Sequence, residues 1–134
     1  MKRFVFISFV MFGALVLSGG LWPSARGNPG PRRESAVVEF TQTVKLQNVL
    51  LRGEYLIVHD EEAMQRGENC TYIYHGTRAT PAQLVTSFHC IPVERAKVGG
   101  FKVTLSHHTS PYEVPELREY QFAGSTEGHQ VPTS

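Results

Sequence analysis

The stretch that decides the fold reads Cys70-Thr-Tyr-Ile-Tyr-His75, then Gly76-Thr-Arg-Ala-Thr-Pro-Ala-Gln83, then Leu84-Val-Thr-Ser-Phe-His-Cys90. Its first and last segments are rich in β-branched and aromatic residues, and a segment rich in Gly, Pro and Thr separates them. This is the pattern of a β-hairpin with a long turn. The stretch holds the only two cysteines of the chain. A pairing that is symmetric about the turn places Cys70 opposite Cys90, at a separation that suits a disulfide.

The same symmetric pairing decides which face of the hairpin is buried. It sets Tyr72 opposite Phe88 and puts both cysteines on the face that carries these aromatic rings. We expect the face with Tyr72, Tyr74 and Phe88 to be buried, and the opposite face, with Ile73 and His89, to be half-exposed. Two cysteines in an exported chain favour a structural disulfide over a catalytic thiol. Cys70 and Cys90 are therefore predicted to form a disulfide that stabilises the fold.

The chain begins like a secretory signal. Met1-Lys2-Arg3 is basic, and Phe4 to Leu17 is an apolar run. Small residues follow at Ser18-Gly19-Gly20, and residues 1–20 are predicted to be removed during export. The alternative is an uncleaved anchor, because Phe4 to Trp22 approaches the ~20 residues that span a bilayer. The expected location is periplasmic or extracellular, with membrane contact only if this segment is retained.

The rest of the chain divides into a leader and one domain. Residues 21–34 combine Pro, Gly and Arg without apolar periodicity, as is typical of a flexible leader. Residues 35–134 form a single domain of ordinary size. Loss of residues 1–20 removes two basic side chains and leaves the remainder near neutral. A clustered basic excess is absent from the sequence, so no nucleic-acid partner is expected.

Alternating side chains predict strands in this domain. Val38 to Leu46, Phe101 to Leu105 and Glu119 to Phe122 each have one wet face, and Glu54 to His59 is apolar on both faces. Asp60 is predicted to cap a short helix. The fold class is therefore all-β.

The expected architecture is a small antiparallel sandwich or barrel of six to seven strands with one short helix, stapled by a disulfide. Gly67 is predicted to end the helix. From Gly124 onward the tail is expected to be loose, with His129 to Pro132 as a possible edge segment.

No catalytic residue is predicted. The chain has no Gly-x-Ser-x-Gly elbow, no phosphate-binding glycine loop and no His-Glu-x-x-His motif. Asp60 is the only aspartate, and its role as a helix cap removes it from a catalytic triad. The protein is expected not to be an enzyme.

The strongest remaining kind of site is a metal site, because the chain contains several histidines and imidazole binds zinc and copper. In the symmetric hairpin His75 and His89 lie ~13 Å apart and do not share an ion. The metal candidates are therefore His107, His108 and His129, which are expected to lie in loops. A blue-copper site is not expected, because Met64 is the only methionine outside the signal and lies in the predicted helix. The six histidines are His59, His75, His89, His107, His108 and His129.

Four segments resemble those of small exported bacterial proteins of unknown function. They are His59-Asp60, Cys70-Thr-Tyr72, Phe88-His-Cys-Ile-Pro92 and Phe122-Ala-Gly-Ser-Thr-Glu-Gly-His129. The resemblance covers most of the chain after the signal. It implies a bacterial envelope location and no particular activity.

Two functional hypotheses follow from the sequence. The first is a non-enzymatic β domain, without a cofactor, that binds an unknown protein or small ligand in the cell envelope. The alternative is a periplasmic protein that binds zinc or copper through the loop histidines. Metal analysis of the purified protein distinguishes the two.

Overall fold

The computed structural model describes residues 32–133 and has eight strands in two antiparallel sheets. Strand order is β1-β2-β3-β4 in the first sheet and β5-β8-β7-β6 in the second. The elements are β1 Arg33–Leu46, β2 Val49–Asp60, α1 Glu61–Gln65, β3 Thr71–His75, a 3-10 turn Pro81–Gln83, β4 Leu84–Phe88, β5 Ile91–Glu94, β6 Lys102–Leu105, β7 Leu117–Gln121 and β8 Glu127–Gln130. The predicted all-β, antiparallel class is confirmed. The sheets stay open, so the barrel alternative is wrong, and the predicted six to seven strands are too few.

The long hairpin of β1 and β2 forms one side of the core. Its tight turn places Gln47 at a φ of 51°, between the paired residues Leu46 and Val49. The alternation predicted for β1 is seen in the buried side chains of Val44 and Leu46. In β2 the run from Tyr55 to His59 is buried at every position, as predicted for an interior strand.

Helix α1 begins and ends as its sequence predicts. The Asp60 carboxylate accepts a hydrogen bond from the backbone N–H of Ala63 at 3.0 Å. Glu62 and Arg66 form an ion pair at 3.8 Å. Gly67 follows with a φ of 73°, a conformation that glycine adopts without strain. Ala63 is buried, so the helix is docked on the core through this residue.

The register of the β3–β4 hairpin differs by one residue from the symmetric pairing. Thr71 pairs with Phe88, and Ile73 pairs with Thr86, with a shift after Ile73. A slip of one residue moves every side chain to the other face. Ile73 is therefore buried in the main core, and Thr71 is buried on the same face, whereas Tyr74 packs on the opposite face in a second, smaller cluster. The predicted burial of Phe88 is confirmed, but the prediction that Ile73 lies on the half-exposed face is wrong.

The chain passes from the first sheet to the second at Cys90. Strand β4 ends at Phe88, and β5 begins at Ile91 on the edge of the second sheet. His59 lies near the end of β2 in the first sheet, and His129 lies in β8 of the second sheet. Side chains from both sheets contribute to one buried core.

The C-terminal segment is an ordered part of the second sheet. Strand β8 lies between β5 and β7, and its residues Gly128 and His129 are buried. The expected loose tail from Gly124 onward is therefore wrong for this strand. Its sequence lacks an apolar alternation, because the largest side chain that it buries is an imidazole, so the usual strand signal is missing.

The predicted signal, residues 1–20, and most of the leader lie outside the described residues. Strand β1 begins at Arg33, so the last two residues assigned to the leader belong to the sheet. None of the helices between residues 32 and 133 has the length and apolar character needed to cross a membrane.

Candidate metal centre

Three buried side chains converge between the two sheets. They are His59 from β2, Cys90 from the link between β4 and β5, and His129 from β8. One nitrogen or sulfur atom of each lies within 4.8 Å of those of the other two. The exposed fractions are 1% for His59, 0% for Cys90 and 1% for His129. Across residues 32–133 no other group of three or more His, Cys, Asp or Glu side chains converges in this way.

The spacing within this cluster suits one shared ion. Cys90 Sγ lies 3.7 Å from His129 Nδ1. In a tetrahedral site, with metal–nitrogen bonds near 2.05 Å and metal–sulfur bonds near 2.3 Å, neighbouring N and S ligands are separated by about 3.6 Å. The imidazole rings of His59 and His129 face one another, with centroids 4.0 Å apart and planes inclined by 33°.

His59 Nε2 is buried and has no hydrogen-bond partner. Leaving a buried polar atom unpaired costs about 1–3 kcal/mol, so such atoms are rare in folded proteins. A metal ion would use the nitrogen lone pair and remove this cost. A ligand role for His59 would therefore account for the unpaired nitrogen.

His129 is held in position from two sides. Glu127 Oε1 lies 3.7 Å from His129 Nε2, on the opposite side of the ring from Cys90. Metal-binding histidines usually have a carboxylate or carbonyl near the ring nitrogen that does not bind the metal. The Tyr120 ring stacks on His129 with centroids 5.0 Å apart, and its hydroxyl is hydrogen-bonded to Thr71.

The second cysteine lies beside the cluster. Cys70 Sγ is 2.6 Å from Cys90 Sγ and accepts a hydrogen bond from the backbone N–H of Cys90 at 3.1 Å. Both cysteines are buried free thiols in this structure. The prediction that they are neighbours is confirmed, but the predicted disulfide is not formed, since bonded sulfurs lie near 2.05 Å. Cys70 precedes β3 and Cys90 follows β4, so neither belongs to the strand ladder in which the symmetric pairing placed them.

Burial controls the protonation of the three side chains. It raises the pKa of the Cys90 thiol to about 12, and the adjacent Cys70 adds to this effect. Burial also lowers the pKa of His129 to about 4, with a further contribution from His59, and it lowers the pKa of His59. At neutral pH both imidazoles are therefore neutral and able to bind a metal. A metal would displace the proton of the thiol.

The other histidines lie elsewhere. His107 and His108 are exposed in the segment after β6, and His108 Nδ1 lies 3.8 Å from a Glu113 carboxylate oxygen. His75 and His89 are exposed as well. Of the three loop candidates, the structure brings only His129 into the cluster, and it lies in a strand rather than a loop.

His59 and Cys90 were not identified from the sequence as members of the candidate site. The signal for His59 is its position at the end of a strand buried on both faces, where an imidazole needs a polar partner. The prediction from the sequence that there is no blue-copper site rests on the place of Met64 in the predicted helix. This reason is wrong, because α1 packs so that Met64 Sδ lies 3.8 Å from Cys90 Sγ.

Acidification is expected to destabilise the metal-free domain through the buried imidazoles. Because the folded state lowers the pKa of His129 from 6.5 to about 4, the unfolded chain binds the proton more readily. The contribution of the neutral His129 to the free energy of unfolding is fully present above pH 6.5 and is lost as the pH falls towards 4. Denaturant unfolding between about pH 7 and about pH 4.5 should show a smaller loss in His129→Gln than in the unmodified protein. Equal losses in both would contradict this assignment.

Comparison with known proteins found no matching family model, no similar curated protein and no similar solved structure.

Proposed function

We propose that this domain binds one copper or zinc ion through His59, Cys90 and His129. The observation that carries the proposal is the convergence of three buried ligand atoms, one each from His59, Cys90 and His129, within 4.8 Å of one another. The buried His59 Nε2, which has no hydrogen-bond partner, supports it. Two imidazoles and one thiolate form a donor set that copper and zinc both accept. The sequence also suggested a metal site, but the proposed ligand set shares only His129 with the histidines predicted there.

A catalytic role for Cys90 is not supported by its environment. Nucleophilic cysteines need a low pKa and access to substrate. Cys90 has an exposed fraction of 0%, and burial raises its pKa to about 12. A metal ligand needs neither property, because the ion itself displaces the proton. Catalysis by the Cys90 thiol is therefore not part of the proposal, and the expectation that the protein is not an enzyme stays a prediction.

The location of the protein and the state of its cysteines are part of the proposal. The basic start and apolar run of residues 1–17 support export to the periplasm or beyond. In such a compartment Cys70 and Cys90 would form a disulfide under oxidising conditions, which their adjacency supports. The reduced form would be the one that binds metal with three protein ligands. Binding of a further protein or small ligand in the envelope stays a prediction.

Metal titration of the purified, reduced protein tests the proposed site. We expect one equivalent of Zn(II), or of Cu(I) under anaerobic conditions, to bind in competition with a chromophoric chelator. Mutation of outer-shell partners costs 10–100-fold in metal affinity, so loss of a direct ligand should cost at least ~100-fold. His59→Gln, Cys90→Ser and His129→Gln should each show this loss.

Exposed histidines provide matched controls for these variants. His75→Gln and the double variant His107→Gln, His108→Gln should keep the affinity of the unmodified protein. Circular dichroism and thermal unfolding establish that every variant is folded. Loss of binding in the loop variants, with the cluster variants unaffected, would instead support the loop-histidine site. Absence of binding in the unmodified reduced protein would reject metal binding altogether.

A further inference from the structure

Helix α1 places a thioether against the candidate metal centre. Met64 Sδ lies 3.8 Å from Cys90 Sγ, and the Met64 side chain is half-buried against the main core. This contact joins residues that are distant in sequence, so it arises from the packing of the helix and not from a local motif. It brings a fourth potential donor to a cluster that otherwise offers three.

The position of Met64 follows from the same residues that position His59. His59 is the penultimate residue of β2, Asp60 caps α1, and Met64 lies in the turn that the cap begins. The hydrogen bond from Ala63 N–H to the Asp60 carboxylate holds that turn, and Ala63 is itself buried. One short segment therefore delivers both an imidazole and a thioether to the site.

The carboxylate nearest to His129 does not face Cys90. Glu127 lies beside His129 Nε2, whereas His129 Nδ1 faces Cys90. The carboxylate is thus on the far side of the ring from the sulfur atoms. Zinc in proteins is bound by thiolate, imidazole and carboxylate groups, whereas thioethers favour monovalent copper.

Cys70 is the competing fourth donor, and one observation counts against it. The group whose ligand atoms lie within 4.8 Å of one another contains His59, Cys90 and His129 but not Cys70. Cys70 therefore lies beside Cys90 without facing both imidazoles.

We infer that the ion is monovalent copper and that Met64 Sδ is its fourth ligand, beside His59, Cys90 and His129. This inference rests on the proposed function. It assigns the metal and adds a ligand, whereas the proposed function requires only that copper or zinc binds to the three-residue cluster.

Met64→Leu tests the inference, because leucine has a similar volume and no sulfur. Cu(I) and Zn(II) affinities are measured anaerobically on the reduced, purified protein by chelator competition. The unmodified protein should bind Cu(I) far more tightly than Zn(II). Met64→Leu should weaken Cu(I) binding by ~10–100-fold and leave Zn(II) binding nearly unchanged. X-ray absorption of the Cu(I) form should show two sulfur ligands in the unmodified protein and one in the variant.

Cys70→Ser is the matched control, and it should keep both the Cu(I) affinity and the two sulfur ligands. Unchanged Cu(I) binding in Met64→Leu would overturn the role of Met64, as would an equal loss of Cu(I) and Zn(II) binding, which indicates a structural effect. Loss of a sulfur ligand in Cys70→Ser would assign the fourth position to Cys70 instead. A preference for Zn(II) in the unmodified protein would overturn the copper assignment and leave the proposed function intact. Binding of neither ion would reject the proposed function itself.

Discussion

Oxidation of Cys70 and Cys90 is expected to lower the metal affinity of the domain by at least ~100-fold, and reduction should restore it. An added disulfide oxidant takes two electrons and two protons from the thiols, and the Cys70–Cys90 bond forms. A disulfide sulfur carries no thiolate charge, so the site loses its one anionic ligand and keeps only neutral donors, His59, His129 and the inferred Met64. The sulfurs are already neighbours and both are buried, so the bond needs no rearrangement of the strands.

Chelator competition before and after oxidation measures this effect, and thiol alkylation with intact mass analysis establishes the redox state. Cys70→Ser is the matched control, because it cannot form the bond and keeps the Cys90 thiol. Its metal affinity should be insensitive to the oxidant. If the fully oxidised protein binds metal as tightly as the reduced protein, Cys90 is not a ligand.

Much of the fold could be predicted because its determinants are local. The alternation in β1, the doubly buried run in β2 and the Asp60 cap of α1 each depend on residues close together in sequence. The hairpin register could not be obtained in this way. It depends on a 3-10 turn at Pro81–Gln83 and a shift after Ile73, and neither leaves a distinct signature in the residue pattern.

The candidate site was harder to predict because its ligands come from three separate elements. His59, Cys90 and His129 meet only when the second sheet packs on the first, and His129 follows Cys90 by 39 residues. Short sequence motifs do not identify ligands that are so far apart in the chain. His107 and His108 are predicted as ligands because they lie in a loop, but they are exposed and lie outside the cluster.

Replacement of Ile73 by alanine is expected to lower the free energy of unfolding by ~2–5 kcal/mol. Ile73 has an exposed fraction of 0% and belongs to the main core. Its truncation removes apolar contacts and leaves a cavity that the surrounding strands fill only in part. The symmetric hairpin would instead put Ile73 on the half-exposed face, where the same change costs far less.

Ile91→Ala is the matched control, because the same side chain is removed from a position with an exposed fraction of 47%. Its cost should stay within about 1 kcal/mol, as for most surface substitutions. Denaturant unfolding of both variants, with the slope of the transition compared between them, provides the measurement. Similar small losses at the two positions would mean that Ile73 does not face the core. The register that pairs Thr71 with Phe88 would then have to be abandoned, and with it the placement of Cys90.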